Sequence, residues 1–382
     1  MKILVIPQAY PTRTRNLTPF IKENTEQLVQ GKNIVSVLNV DMLALKKWGI
    51  SLGSKYRCYI ENEVTVWHSY MRYIRGAERI NTFVFLKKTR YLYALYKAKN
   101  GKPDVILSHF SQYAGYCASI IAEEENIPHI SIEHAGWILK GNISEYEKNK
   151  LIHTINNSYK MVCVSEILKN SIVKLGGDAN RMIVIPNMIA NEYSFHERVS
   201  KDKFVFFSAA NLYVGKRIDM LVNAFCKAFT ADQNVMLRIA GNGDQYNKIK
   251  EIINNYDRKN QIILLGSLDK IKMKQEYINC DCFVLPSEHE TFGIVYREAM
   301  ATGRPIITTN HQGFYGDLWD DSYGLRIPID DENELIKAFV YMSENIASYD
   351  LKEISSKCVC KYACSTIMEK YLDLIRETQK ID

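Results

Sequence analysis

The sequence predicts an α/β protein made of two successive parallel-sheet domains, and three observations carry that reading. Short, almost wholly apolar runs recur along the chain, and the segments between them place apolar residues at helical spacing. That alternation is the pattern of strands buried on both faces and joined by crossover helices. At 382 residues the chain is long enough for two cores of ordinary size. Its content of 47% hydrophobic and 24% charged residues is that of a globular protein. No run of about 18 apolar residues occurs, so nothing is expected to span a bilayer. The opening MKILVIPQAYP is too short, and too soon broken by Pro7, for a secretory signal, and reads as a first strand.

In the first domain Lys2 to Pro7 is that strand, Leu17 to Gln30 carries helical spacing, and Ile34 to Val40 is a second strand. The glycines of a dinucleotide-binding fingerprint are missing between them, which counts against a simple oxidoreductase. Asp104 to His109, Pro128 to His134 and Met161 to Ser165 are further strands, and His134 stands at a strand end, where ligand-facing residues collect. The second domain starts with strand Phe204 to Ser208, followed by a loop holding Asn211, Lys216 and Arg217. A cation between strand and helix can pair with a diphosphate. Val235 to Ala240 is a strand ending in the turn Gly241-Asn242-Gly243, and Gln261 to Gly266 another, followed by Ser267 and Leu268. Tyr323 to Ile329 reads as a last short strand, with amphipathic helices over Glu334 to Met342 and Ile367 to Ile375.

The stretch Ser287 to Gly303 organises the chain. It lies between the buried strands Asp281 to Leu285 and Pro305 to Thr309, so the whole is one βαβ unit. Phe292, Val295, Tyr296, Ala299 and Met300 form one apolar stripe, and Gly303 marks the helix stop. Glu298 lies off the stripe and Glu290 in the loop before it. Ligands bind beyond the carboxyl ends of parallel strands, where helix N-termini offer free N–H groups to anions. Thr291, Phe292 and Gly293 are therefore candidate main-chain donors to a phosphate or a sugar hydroxyl, and the two carboxylates can chelate vicinal hydroxyls. By the local pattern alone, a capped helix with two solvated glutamates is an equal reading.

The words PSEHETFGIVYREAMATGRPII resemble the E-x7-E signature of retaining glycosyltransferases of family 4, with Glu290 and Glu298 as its glutamates. The resemblance implies the GT-B fold, two Rossmann-like domains facing a cleft, with the last helix crossing back to the first domain. The expected bounds are 1–186 with about 365–382 for an acceptor-binding domain, and 187–364 for a donor-binding domain, with a hinge at Pro186-Asn187. It further implies a nucleotide-sugar donor, UDP- or GDP-linked, with Glu290 on the transferred sugar and Glu298 on the ribose. His134 then lies near the sugar and the leaving phosphate, and Lys216 on the diphosphate. Gly241, Gly243 and Leu268 match turns near the donor. The arginine usual five residues before Lys216 is here Asn211, with Arg217 as a possible substitute, and Tyr10 to Thr18 replaces the family's glycine-rich loop. No metal is required, and no Asp-x-Asp motif appears: the residue two before Asp281 is Asn279.

Charge and cysteines bound the setting. The net charge is +6, but the first 190 residues hold 25 Lys and Arg against 15 Asp and Glu, 17 against 6 in the first 100, which points to an anionic partner for the first half. Residues 69–99 are rich in Arg, Lys, Tyr and Phe, and fit either an anionic membrane surface or a pair of packed helices with solvated basic faces. No nucleic-acid-binding pattern accompanies the charge. The nine cysteines sit mostly in apolar runs, as reduced thiols of a cytoplasmic protein do, and the spacing of Cys358, Cys360 and Cys364 matches no common metal site. The sequence reading is a retaining glycosyltransferase on the inner face of the cell membrane, acting on a lipid-linked saccharide in bacterial surface polysaccharide synthesis. A nucleotide-sugar epimerase of the same plan and a non-catalytic sugar-binding protein stay as alternatives.

Overall fold

The computed structural model describes residues 1–12, 18–44, 56–141, 143–198, 202–311, 313 and 319–380. They form two compact units, Met1–Met188 with Ile367–Asp382, and Ile189–Thr366.

The first unit runs β1 (Lys2–Pro7), α1 (Pro19–Val29), β2 (Ile34–Ala44), β3 (Arg57–Glu61), β4 (Val64–Tyr73), α2 (Glu78–Asn100), β5 (Val105–His109), α3 (Tyr116–Glu125), β6 (His129–Glu133), α4 (Glu145–Asn156), β7 (Lys160–Cys163), α5 (Glu166–Lys174) and β8 (Met182–Val184). The strands make one sheet in the order β3-β4-β2-β1-β5-β6-β7-β8. Every pair is parallel except the hairpin β3–β4. Ile3 to Ile6 are fully buried because helices cover both faces of β1, which is why that strand is apolar without alternation. Local chemistry sets the helix starts: Ser144 and Glu147 form a reciprocal capping box at α4, and the Ser165 hydroxyl accepts the N–H of Leu168 at α5.

The second unit runs β9 (Phe204–Ala209), α6 (Ile218–Ala228), β10 (Val235–Ala240), α7 (Tyr246–Asn255), β11 (Ile262–Gly266), α8 (Lys270–Asn279), β12 (Cys282–Leu285), α9 (Ile294–Ala301), β13 (Ile306–Thr309), β14 (Gly324–Ile327), α10 (Glu332–Asn345) and α11 (Leu351–Tyr362). Its all-parallel sheet has the order β11-β10-β9-β12-β13-β14, the doubly wound arrangement of a Rossmann domain. Phe206, Phe225, Phe229 and Phe339 pack edge-to-face and tilted beneath it, the Phe206 and Phe339 rings 4.7 Å apart, and lock α6 and α10 to β9. The last helix, α12 (Cys364–Thr378), buries Ile367, Tyr371, Leu374 and Ile375 on one stripe and belongs from Ile367 onward to the first unit.

Several expectations change. Residues 69–99 are not a helix pair: Ser69 to Tyr73 complete β4, and one 23-residue helix follows. The expected strand Tyr323 to Ile329 shortens to Gly324–Ile327 behind a 3-10 turn at Asp321–Tyr323. Of the expected loop Tyr10 to Thr18, residues 13–17 lie outside the described residues. All nine cysteines are free thiols, seven of them buried.

Candidate active site

In the second unit the strand order reverses between β9 and β12, and a doubly wound sheet opens a crevice beyond the carboxyl ends of such a pair. The loop after β9 carries Asn211, Lys216 and Arg217, and the loop after β12 carries Glu290 to Gly293. Main-chain bonds lace them together. The N–H of Glu288 donates to Gly215 O at 2.9 Å, and that of Leu212 to Asn242 O at 3.0 Å. The turn after β10 is drawn in by Gly241 N–H to Gly266 O at 2.7 Å and by Ala210 N–H to Ala240 O at 3.1 Å. This explains the paired glycines. A Cβ on Gly241, at φ +133°, would stand 1.8 Å from Ala210 O, and one on Gly243 2.3 Å from Leu212 O. Both positions are needed for loop to pass over loop.

On this frame Lys216 Nζ and a Glu290 carboxylate oxygen form an ion pair, each side chain 12% exposed. Burial works against the lysine's charge, but Glu290 and Tyr213 outweigh it and raise its pKa above the usual value. Arg217 is at a left-handed φ of 53°, with Nε 2.6 Å from Asp330 and 3.6 Å from Glu288, so its charge is already matched. Asn211 is exposed, and its carbonyl accepts the N–H of Tyr213 at 2.9 Å. Leu268 is half-buried two residues past β11. Glu298, on α9, accepts the hydroxyl of the fully buried Tyr277 at 2.8 Å, which fixes one carboxylate oxygen.

Sequence reasoning missed Arg297. It lies off the apolar stripe, yet it is fully buried, its guanidinium 4.4 Å from the Phe292 ring centroid and 5.5 Å from that of Tyr362. It donates to the carbonyls of Phe292, of Gly293 at 3.2 Å and of Gly313 at 3.5 Å. Because a trans peptide sets its C=O and N–H in opposite directions, pulling these carbonyls to Arg297 turns the N–H groups of Gly293 and Ile294 away from it. Gly293 itself has φ +71° with Phe292 buried beside it. The N–H groups of Thr291, Phe292 and Gly293 donate to no other described residue. They are open donors at the start of α9, next to a cation.

His134 belongs to the first unit. Its Nε2 is 3.0 Å from His109 Nδ1, and the rings of Phe20 and Phe110 lie 4.9 and 5.2 Å from its own. Burial, with His109 alongside, pushes its pKa well below the ordinary histidine value, so the ring is neutral. The loop is held by Glu133, fully buried, which accepts the N–H groups of Ser111, His134 and Ala135 at 2.8 to 2.9 Å. Neither His109 nor Glu133 shows in the sequence as more than part of a strand. The structure thus joins Lys216 to Glu290, sets Gly241 and Gly243 under the Asn211 loop, and holds Glu298 and Arg217 on separate partners. Among the described residues no group of three or more His, Cys, Asp or Glu could hold a metal ion.

Two family models match the chain: glycosyl transferases group 1 over residues 190–350, and glycosyltransferase family 4 over residues 60–193. An uncharacterized glycosyltransferase of Methanocaldococcus jannaschii is 30% identical over 247 residues, covering 63% of this chain and 66% of that relative, so the match spans just under two thirds of its length. The alpha-monoglucosyldiacylglycerol synthase of Acholeplasma laidlawii is 26% identical, covering 74% of this chain and 79% of the relative. Among solved structures, the sucrose-phosphate synthase of Thermosynechococcus elongatus aligns over 100% of both chains with a TM-score of 0.83 at 16% identity. The Anabaena protein HepE in complex with UDP and glucose aligns over 99% of this chain and 100% of its own with a TM-score of 0.75 at 16% identity. With the doubly wound sheets and the E-x7-E loop already in view, these matches make the chain a member of the group 1 glycosyltransferases of family 4, with the GT-B fold.

Proposed function

We propose that the protein transfers a sugar from a nucleoside-diphosphate donor, UDP- or GDP-linked, to a lipid-linked saccharide, with retention of anomeric configuration. The observation that carries the reading is the Lys216–Glu290 pair at the switch point, beside free N–H groups at the start of α9. A diphosphate entering there would exchange its solvation for Lys216 and those donors, which are already oriented and need no reorganisation as charge builds up. Glu290, released from the lysine, would then orient the sugar, and Glu298, held by Tyr277, would accept the ribose hydroxyls. As the bond between the anomeric carbon and the phosphate oxygen breaks, the acceptor oxygen bonds to that carbon on the same face. Its proton passes to the leaving diphosphate. His134 would assist near the sugar. Because Lys216 and the loop dipoles supply positive charge, the reading requires no divalent metal, and the only small-molecule requirement is the donor itself.

The acceptor side is supported by chemistry of the first unit and by a relative whose name states a monoglucosyldiacylglycerol product. On α2 and the turn before it, Ile74, Ile80 and Phe83 are 38%, 56% and 65% exposed, next to exposed Arg75, Arg79 and Lys87. Apolar wedges flanked by cations suit an anionic headgroup layer, so the reading places the protein on the inner face of the membrane as a peripheral enzyme of surface polysaccharide synthesis. No helix of the described residues is long and apolar enough to cross a membrane.

Thermal shift against a panel of UDP- and GDP-sugars tests the donor, since a ligand that binds only the folded state raises the melting temperature. Proton NMR of the product formed on membrane lipid extract then reads its anomeric configuration. An inverted product, or conversion of the donor with no acceptor present, would overturn the assignment.

A further inference from the structure

We propose that the cavity beside the β3–β4 hairpin of the first unit is a binding site for one neutral sugar. As the seat of an acceptor sugar it rests on the glycosyl-transfer reading above, and it deepens that reading by naming the unit of the acceptor that is recognised. The geometry stands on the first unit alone.

The cavity has a volume of about 380 Å³, near the lower end of the range for small-ligand pockets, and its wall holds Thr12, Arg57, Tyr59, Glu61, His68 and Tyr70. Strand register puts most of these on one face. Arg57 pairs with His68 across the hairpin, His68 with Asn39 on β2, and Tyr70 with Asp41, so all five side chains stand on the same side of the sheet. Tyr59 and Glu61 join them by alternation along β3. Thr12 comes from the loop after β1, and His68 and Tyr70 from the second half of β4. The site therefore lies toward the carboxyl ends of the parallel strands, where ligands of such sheets collect. Its wall is pre-formed: Lys22 of α1 donates to Glu61 at 2.7 Å, and Asn62 donates to Glu26 of α1 at 2.8 Å, which pins the turn of the hairpin to that helix.

The polarity of this face is what points to a ligand. One pair further back on the same side, Val37 faces Val66, and both are fully buried. The next pair is Asn39 with His68. Asn39 is fully buried and neither atom of its carboxamide has a hydrogen bond; His68 is 4% exposed, and its Nε2 has none either. That nitrogen stands 3.9 Å from an Asp41 oxygen, beyond hydrogen-bond reach. A face serving packing alone would continue the valines, because buried polar atoms are costly unless paired. Asn39 lies under the wall, whereas His68 is in it. Because Nε2 is enclosed, the ring presents its Nδ1 edge to the cavity, and Tyr70 holds it there with ring centroids 4.4 Å apart at 55°.

The same wall selects the class of ligand. On it and just behind it stand Arg57 and Lys22 against Asp41, Glu61 and Glu26, with Lys22 spent on the two glutamates. With no surplus of positive charge, a phosphate or carboxylate group is not what it favours. A polyhydroxyl suits it. A sugar hydroxyl both donates and accepts, so it satisfies the Nδ1 edge of His68 in either tautomer, and Arg57 donates to ring or hydroxyl oxygens. The rings of Tyr59 and Tyr70 offer apolar cover to the C–H faces of a sugar.

The test is saturation-transfer NMR of the protein with the methyl glycosides of glucose, galactose, mannose and N-acetylglucosamine, and with glucuronic acid and glucose 1-phosphate as anionic counterparts. At least one neutral glycoside should receive saturation from the wild type, and His68→Phe and Arg57→Met should each reduce that transfer at least fivefold. His68→Phe keeps a ring against Tyr70 and removes an unpaired buried nitrogen. Its melting temperature should therefore equal or exceed that of the wild type, which a purely structural role for His68 would not give. With membrane lipid extract as acceptor, His68→Phe should raise the extract concentration for half-maximal rate at least fivefold and leave the donor KM unchanged. Four results overturn the inference: no neutral glycoside bound by the wild type, transfer unchanged in both variants, stronger transfer to the anionic sugars, or an extract requirement that stays as in the wild type. If a glycoside binds as expected but no nucleotide sugar is turned over, the glycosyl-transfer reading falls and the sugar site stands.

Discussion

Replacing Lys216 by Met should leave Glu290 charged, 12% exposed and without its cation. Breaking a fully buried pair by removing one partner costs about 3–5 kcal/mol. The remaining exposure of Glu290 and the N–H groups at the start of α9 soften this to about 2–3 kcal/mol. For a unit of this size that corresponds to a melting temperature lower by roughly 5–10 °C. Glu290→Gln alone should cost less, about 1–2 kcal/mol, because an ammonium can still donate to the carboxamide. The double variant Lys216→Met, Glu290→Gln has no charge left to strand and should return to within about 1 kcal/mol of wild type, a coupling of about 2–5 kcal/mol. Urea unfolding followed by circular dichroism reads all four corners of the cycle. The pair also has a pH signature. Glu290 and Tyr213 raise the lysine's folded pKa above its unfolded value of 10.5, so the stabilisation is fully present below 10.5 and is lost only as pH rises through the folded value. Additive single-variant effects, or a pair that weakens between pH 7 and 9, would refute the reasoning.

Other outcomes follow from the same geometry. Tyr277→Phe removes the bond that orients Glu298 and should weaken donor binding about 3- to 10-fold by calorimetry, the scale of one net hydrogen bond of about 1 kcal/mol; unchanged affinity would detach Glu298 from the donor. His129 is buried between the Ser108 and Ser158 hydroxyls, and burial pushes its pKa down to about 3. Its unfolded form binds a proton below about 6.5, so the first unit should lose stability as pH falls from there toward 3, by up to about 1.4 kcal/mol per pH unit. His129→Gln should make that slope shallower by its own share in denaturation measured at pH 4.5 to 7, with buried His109 and His134 still contributing in the same direction. Phe83→Asp with Arg75→Glu and Arg79→Glu should abolish pelleting with anionic vesicles at low salt and leave donor binding intact; equal pelleting would remove α2 from the membrane reading.

The parts of the site legible in the sequence are those where one face or one local pattern decides the outcome. Of the stripe, Phe292, Tyr296, Ala299 and Met300 are buried as their spacing implies, because a helix next to a sheet must bury one side, while Val295 at its edge is half-buried. Glycines 241 and 243 were visible as a turn, but the reason for them, the carbonyls of Ala210 and Leu212 crossing within 1.8 and 2.3 Å of a would-be Cβ, comes from a loop some thirty residues away. Arg297 escaped notice because its burial is licensed by carbonyl acceptors and two aromatic rings, one of them Tyr362 on α11, not by its own helix. Between Val40 and Lys102 the pattern failed for a related reason. β3 is an edge strand with Arg57, Cys58 and Ile60 exposed, so no apolar run announced the hairpin. The pairing of His109 with His134 likewise depends on strand order, which periodicity does not encode.

The most direct test is calorimetric titration of uridine and UDP, or guanosine and GDP if the donor panel selects them, into wild type, Lys216→Ala and Glu298→Ala. If Lys216 holds the diphosphate and Glu298 the ribose, Lys216→Ala should weaken the diphosphate at least tenfold and leave the nucleoside unchanged, while Glu298→Ala weakens both alike. A lysine variant that binds both ligands as wild type does, or loses both equally, would contradict the placement of a nucleotide between those two side chains.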